Sequence, residues 1–184
     1  MKSGFKITLL VFTALVVSFA SADAETKVPS LTLADTIFEL AHTESANETV
    51  LNEYLPQGQK LKNWKFLFAV RHVRNAKNVD EVVSRWKAFV AQVRSPGKKL
   101  SESEDSTEFD RRFNLAIRAP QDAFLESSSI RFIPDPGGNG VIYYQVAVRM
   151  NPRDESDLLQ GFLDLGNMSQ AMKSLTLGVH TSGN

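Results

Sequence analysis

A ten-residue segment from Val141 to Met150, VIYYQVAVRM, constrains the fold of this chain more than any other feature. Its even-numbered positions are apolar or aromatic, whereas Tyr143, Gln145 and Arg149 alternate with them. Side chains along a β-strand point alternately to the two faces of a sheet, so the pattern predicts a long strand with one apolar face. Such a face must be covered by another layer, and a polar opposite face is typical of an antiparallel sheet.

Five further segments have strand patterns, rich in apolar, aromatic and β-branched residues between turn signals. They are Thr36–His42 and Thr49–Tyr54, which together predict a hairpin, then Asn63–Val73, Phe109–Arg118 and Phe124–Ile133. The third of them is apolar on both alternating faces, which favours a central strand buried on two sides. A short buried helix is the alternative for that segment, because periodicity alone does not separate the two.

Helical spacing of apolar residues predicts two helices. The first spans Asp80–Arg94, with Asp80 as its N-cap, and the second spans Glu155–Leu175, where two internal glycines are expected to weaken or kink the helix. The charged, serine-rich stretch over residues 98–108 predicts a mobile surface loop. The order β-β-β-α-β-β-β-α therefore predicts an α+β fold, in which an antiparallel sheet of about six strands packs against two main helices.

The first 24 residues have the pattern of an export signal. Lys2 and Lys6 precede a mostly apolar run from Ile7 to Phe19, and small residues follow up to Ala24. A run of this length is short for a membrane-spanning helix but suits the core of a signal peptide. We therefore predict a periplasmic or secreted protein with four segments: a signal peptide over residues 1–24, a flexible lead over 25–30, a single α+β domain over 31–178, and a disordered tail over 179–184.

Composition excludes several classes of function. Removal of residues 1–24 takes away two lysines and one aspartate, which leaves 19 basic and 20 acidic residues and a net charge of −1. That balance argues against nucleic-acid binding, which normally needs a basic excess, and no later segment predicts stable membrane insertion. The chain contains no cysteine, and its three histidines share no ligand spacing. The sequence therefore predicts no metal site, no cofactor and no catalytic residue.

Two segments carry a resemblance to known proteins: NEYLPQGQKLKNWKFLFAVR over Asn52–Arg71 and GNGVIYYQVAVRM over Gly138–Met150. They resemble a poorly characterised family of secreted or periplasmic bacterial proteins, with an architecture similar to the PsbP-like α/β/α sandwich. The resemblance implies export and a non-enzymatic binding or accessory domain. It supplies no catalytic residues.

The polar face of the Val141–Met150 strand is the candidate site. Arg71 and Arg149 each end the triplet Ala-Val-Arg in an apolar strand, so both guanidinium groups are expected on this face beside Tyr143 and Gln145. Arginine binds carboxylates and phosphates bidentately, which predicts an anion-binding site formed by these four residues. Three more arginines could extend the basic face: Arg74, Arg118 and Arg131. The alternative is the ordinary solvated face of an antiparallel sheet.

These observations lead to one main hypothesis and two alternatives. The main hypothesis is an exported, non-enzymatic binding or accessory module that recognises a protein partner or a small anionic ligand. The alternatives are a secreted effector or toxin-like protein and an exported enzyme without a recognisable motif.

Overall fold

The computed structural model describes residues 29–92, 98–119 and 123–175. The predicted signal peptide, the first four residues of the predicted lead and the predicted tail lie outside the described residues. The elements of the described chain are β1 (Ser30–Leu33), β2 (Thr36–Ala46), β3 (Thr49–Pro56), β4 (Phe66–Val73), α1 (Val79–Gln92), β5 (Lys99–Glu102), β6 (Arg111–Arg118), β7 (Leu125–Pro134), β8 (Val141–Met150) and α2 (Glu155–Lys173).

The strands form one antiparallel sheet in the order β1-β2-β3-β4-β8-β7-β6-β5. Two four-stranded meanders, β1 to β4 and β5 to β8, meet where β4 pairs with β8, and the sheet curls into a half-barrel. In that central pair Arg71 lies opposite Tyr143, and Ala69 lies opposite Gln145. Residues opposite each other in a ladder share a face, so the register places Arg71, Tyr143 and Gln145 on one side of the sheet.

The predicted fold class is wrong in its strand count and architecture, although a mixed α/β fold is confirmed. The described part of the chain is mostly sheet, with eight strands in a half-barrel and two helices, instead of about six strands packed against two main helices in a PsbP-like sandwich. The two unpredicted strands, β1 and β5, have four residues each and form the sheet's two edges. All four β5 side chains are exposed, so the strand shows no apolar alternation, and part of the predicted mobile loop is instead paired with β6.

Most of the other predicted elements are confirmed. The hairpin of β2 and β3 forms, and β4 is a central strand buried on both faces rather than a short helix. The predicted N-cap is wrong, because α1 begins at Val79 and the Glu81 backbone N–H donates to Oδ1 of Asn78 at 2.9 Å. Asp80 lies instead in the first turn, where it pairs with Arg111 at 2.8 Å.

One face of the sheet carries the even-numbered side chains of β8 and packs against α2, and we call it the α2 face. Its core contains Phe68, Val70, Ile142, Tyr144, Val146, Val148 and Met150, with Leu165, Met168 and Met172 from α2. Gly161 lies so close to the sheet that a Cβ atom there would be 2.4 Å from Cγ of Met150. Arg131, on the same face, donates to the carbonyl oxygens of Met172 at 2.8 Å and Leu175 at 3.2 Å, which satisfies the C-terminal end of α2.

The opposite face carries the odd-numbered side chains of β8, and we call it the α1 face. At one end α1 covers a cluster that contains Val79, Val82, Val83 and Val90 with Phe113, Ile130, Phe132 and Val141. At the other end Trp64 packs with Leu55, Leu67, Ala69 and Ala147. Gln145 lies between these two clusters along β8 and is half-buried. The α1 face is therefore partly covered by a helix and by Trp64 and is not simply a solvated face.

Candidate ligand-binding site

A pocket of about 440 Å³ lies on the α1 face, between the C-terminal half of α1 and the middle of the sheet. Its described lining is Arg71 from β4, Trp86, Phe89 and Val90 from α1, Lys98, Leu115 and Ile117 from β6, Glu126 and Ser128 from β7, and Tyr143 and Gln145 from β8. We call it the Arg71 pocket. Its volume is within the range of small-molecule sites, and it brings together three of the four predicted ligand-binding residues.

A chain of hydrogen bonds crosses three strands at the floor of the pocket. Nη1 of Arg71 donates to Oε1 of Gln145 at 3.2 Å, and Nε2 of Gln145 donates to Oγ of Ser128 at 3.2 Å. These contacts fix the orientation of the Gln145 amide, and a further hydrogen bond joins the Arg71 side chain to the Tyr143 hydroxyl.

The charge of Arg71 has no ion-pair partner among the residues that the structure describes. Its guanidinium carbon lies 5.4 Å from the centroid of the Tyr143 ring, and that ring stacks on Phe132 with the centroids 4.8 Å apart. Burial raises the pKa of the Tyr143 phenol, and the neighbouring Arg71 charge only partly opposes the shift. Tyr143 therefore stays neutral at physiological pH and provides a ring against which the arginine lies.

The remaining wall is apolar and aromatic. Trp86 packs against Phe113 and Phe132, with ring centroids 5.2 Å and 5.4 Å away, so its indole is held firmly beside the pocket. Phe89, one turn further along α1, is 62% exposed. An exposed phenylalanine at the edge of an apolar wall can cover the apolar part of a bound molecule.

Two further charged side chains line the pocket, and both have partners. Nζ of Lys98 donates to the backbone carbonyl oxygen of Val90 in the last turn of α1. Glu126 accepts from Nε of Arg149 at 3.2 Å, across the β7 and β8 pair. Lys98 and Glu126 are thus both engaged, whereas Arg71 makes no ion pair with a described residue.

Arg149 lies on the α1 face but outside the Arg71 pocket. It is six positions after Tyr143 along β8, which corresponds to roughly 20 Å at the rise of an antiparallel strand. Its guanidinium carbon lies 3.8 Å from the centroid of the Trp64 ring and 4.5 Å from that of Phe124. The structure thus does not bring Arg149 together with the other three predicted residues.

The other three arginines do not extend this face. Arg131 lies opposite Tyr144 of β8, and Arg118 lies opposite Leu125 of β7. Both arginines therefore belong to the α2 face. Arg131 is buried there and pairs with Asp110 at 3.1 Å. Arg74 follows the end of β4 and is exposed. The predicted basic face of five arginines is therefore divided between the two sides of the sheet.

A protein-family model matches residues 26–177. The chain belongs to this family, which is uncharacterised. No curated protein and no solved structure matches the chain. Within the described residues, no helix combines the length and apolar character needed to cross a membrane, and no three His, Cys, Asp or Glu side chains are grouped so as to hold a metal ion. The family assignment does not itself identify a ligand.

Sequence reasoning missed the side of the pocket that α1 provides. Trp86 lies on the apolar stripe of the predicted helix, where a structural role is the ordinary interpretation, and Phe89 lies beside that stripe and is too large to be an ordinary solvent-facing residue. Ser128 could have been found from the alternation of β7, which places it on the same face as its partner Ala147 and next to Gln145. No sequence pattern indicated that Lys98 lines a pocket, because it precedes β5, a strand without the alternation of apolar residues that predicts one.

Proposed function

We propose that this protein is a non-enzymatic binding module whose Arg71 pocket holds a small ligand with an apolar body and one carboxylate group. The observation that carries this proposal is the Arg71 guanidinium, which faces a largely apolar pocket without a described ion-pair partner. A carboxylate can accept two parallel N–H bonds from such a group. Phe89 and Trp86 would contact the apolar part of the ligand, as in most small-molecule sites.

The chemistry of the lining favours binding over catalysis. A serine nucleophile requires an adjacent base, whereas the Ser128 hydroxyl accepts a hydrogen bond from the Gln145 amide. The described lining contains neither histidine nor cysteine. We propose further that the module acts after export, because residues 1–24 have the charge and the apolar run of a signal peptide.

Displacement of a fluorescent anion tests the ligand class. 1-Anilinonaphthalene-8-sulfonate combines apolar rings with one sulfonate, and we expect it to bind saturably and to be displaced by decanoate but not by decanol. Replacement of Arg71 by Gln should weaken decanoate binding by about tenfold to a hundredfold, the usual effect of losing a hydrogen bond to a charged group. The unfolding midpoint should stay close to that of the wild type, because Arg71 makes no described ion pair.

Arg74→Gln is the matched control. Arg74 is three residues further along, is exposed and does not line the pocket, but its removal changes the net charge equally. Equal displacement by decanoate and decanol, or an equal loss of affinity in the two arginine variants, would show that the carboxylate is not bound by Arg71.

A further inference from the structure

A second, more open pocket of about 620 Å³ lies at the far end of the α1 face. We call it the Arg149 pocket. Its described lining is Lys62, Asn63, Trp64, Ala123, Phe124, Arg149, Met150, Asn151 and Arg153. Three of these side chains are cationic and none is acidic. The pocket shares no lining residue with the Arg71 pocket.

The Arg149 guanidinium is held rigidly at this pocket. It is stacked between two rings, with its central carbon 3.8 Å from the Trp64 centroid and 4.5 Å from the Phe124 centroid. Its Nε donates to Glu126 at 3.2 Å, so the plane of the group is fixed on three sides. Nη1 and Nη2 have no hydrogen-bond partner among the described residues. The two free nitrogens of the guanidinium group form a fork, and a fork that is already ordered loses little conformational entropy when it binds a planar or tetrahedral anion.

The charge around this fork is positive even after its ion pair is counted. Glu126 offsets one of the three lining cations, and Lys62 and Arg153 are both exposed and make no ion pair with a described residue. The nearby carboxylate of Asp157 is occupied, because it accepts from Nζ of Lys65 and from the Asn151 backbone N–H, each at 2.6 Å. These contacts hold the pKa of Asp157 below its ordinary value. About two positive charges therefore remain for a ligand.

We infer that the Arg149 pocket is a binding site for a phosphate group, distinct from the Arg71 pocket. Two uncompensated cations match a dianionic phosphate better than a carboxylate, and the parallel N–H groups of an arginine fork match two phosphate oxygens. The pocket is larger than one phosphate ion, so it has room for the organic part of a phosphate ester. The Trp64 and Phe124 rings form the sides of the site, and Asn63 and Asn151 add amide groups at its edge.

Isothermal titration calorimetry at constant ionic strength tests this site, with inorganic phosphate, glycerol 3-phosphate and acetate as probes. We expect both phosphates to bind saturably at one site and acetate to bind at least tenfold more weakly. Tighter binding of the ester identifies an ester as the ligand, and equal binding of the two identifies the phosphate group alone. Absence of saturable phosphate binding, or equal binding of acetate, would overturn the inference.

Four variants place the binding in this pocket. Lys62→Gln and Arg153→Gln each remove an exposed charge and should weaken phosphate binding by about twofold to fivefold, the scale of one exposed charge interaction. Arg149→Lys keeps the charge but removes the fork, and we expect a loss of about tenfold. Lys60→Gln is the control, because Lys60 is exposed two residues from Lys62 and does not line the pocket. If Lys60→Gln and Lys62→Gln weaken binding equally, diffuse attraction explains the result and the site is refuted.

Discussion

The contact between Gly161 and the sheet gives a sharp test of how α2 packs. A Cβ atom at Gly161 would lie 2.4 Å from Cγ and 2.5 Å from Sδ of Met150, and Met150 is fully buried. At Gly166, five residues further along the same helix, a Cβ atom would meet nothing within 4 Å. Glycine to alanine stabilises a helix interior by about 0.5–1 kcal/mol. The two glycines therefore offer the same change in helix propensity with opposite steric consequences.

Gly166→Ala should raise the free energy of unfolding by that amount. Gly161→Ala gains the same helix propensity but forces Met150 to move within a packed core, which costs about 1–3 kcal/mol. We therefore expect Gly161→Ala to be neutral or to destabilise by about 2.5 kcal/mol at most, and to be less stable than Gly166→Ala by about 1–3 kcal/mol. Urea unfolding measures both values, provided that the free energy of unfolding depends on urea concentration with the same slope in the wild type and the variants.

A double-mutant cycle identifies the cause. Met150→Ala removes Cγ and Sδ and should itself cost about 2–5 kcal/mol as a cavity in the core. The next atom near a Cβ at position 161 is Cγ2 of Val148 at 3.6 Å, an ordinary contact. In the Met150→Ala background, Gly161→Ala should therefore become stabilising, as Gly166→Ala is in the wild type. If Gly161→Ala costs the same in both backgrounds, the close approach to Met150 does not explain the glycine.

Four other expectations concern separate parts of the molecule. Burial alone would raise the pKa of Asp110, but hydrogen bonds and charges from its two arginine partners hold it below the ordinary value. The ionised Asp110 carboxylate therefore stabilises the fold above its unfolded pKa of about 4, and this stabilisation is lost as the pH falls through the lower folded pKa. The loss of stability in acid should be smaller in Asp110→Asn than in the wild type. Equal pH profiles of stability for the two proteins would contradict this. Gly140→Ala should destabilise by more than about 2 kcal/mol, since its φ is +110° and a Cβ would lie 2.1 Å from the Val73 carbonyl oxygen; an unchanged thermal midpoint would refute that geometry. Trp86→Ala should cost less than the about 3–5 kcal/mol of a fully buried tryptophan, because Trp86 is only partly buried; an unchanged midpoint in chemical unfolding would mean that its ring contacts contribute little. Leu15→Arg should block export, and mass spectrometry of a processed N-terminus outside the cytoplasm in that variant would argue against the signal peptide.

The parts of the fold that were predictable are those where a local pattern and the tertiary structure agree. β8 has the predicted bounds, Val141–Met150, because it is paired on both sides and alternates along its whole length. β1 and β5 were missed because four residues at a sheet edge cannot show a period, and pairing with a neighbour determines their structure. At the start of α1 the predicted cap, Asp80, is wrong because Asn78, an equally suitable residue type, lies just before the first turn and accepts from the Glu81 backbone N–H.

The candidate site was predictable only as far as strand pairing determines it. The alternation of β8 placed Tyr143 and Gln145 on one face, and the pairing of β4 with β8 brought Arg71 to them. The helix that covers this face was not predictable in the same way, because the part of the sheet that α1 covers depends on long-range packing. Trp86 and Phe89 became lining residues through that packing alone.

The separation of Arg71 from Arg149 follows from the direction of their strands. Each arginine ends an Ala-Val-Arg triplet near the C-terminal end of its strand, but β4 and β8 are antiparallel, so the two ends lie at opposite ends of the pair. Both residues thus lie on the α1 face but in different pockets. Glu126 lies opposite Arg149 on β7, and it lines the first pocket while pairing with the arginine of the second. Two small anions, one in each pocket, therefore fit this face better than the single anionic group that the matched triplets suggested.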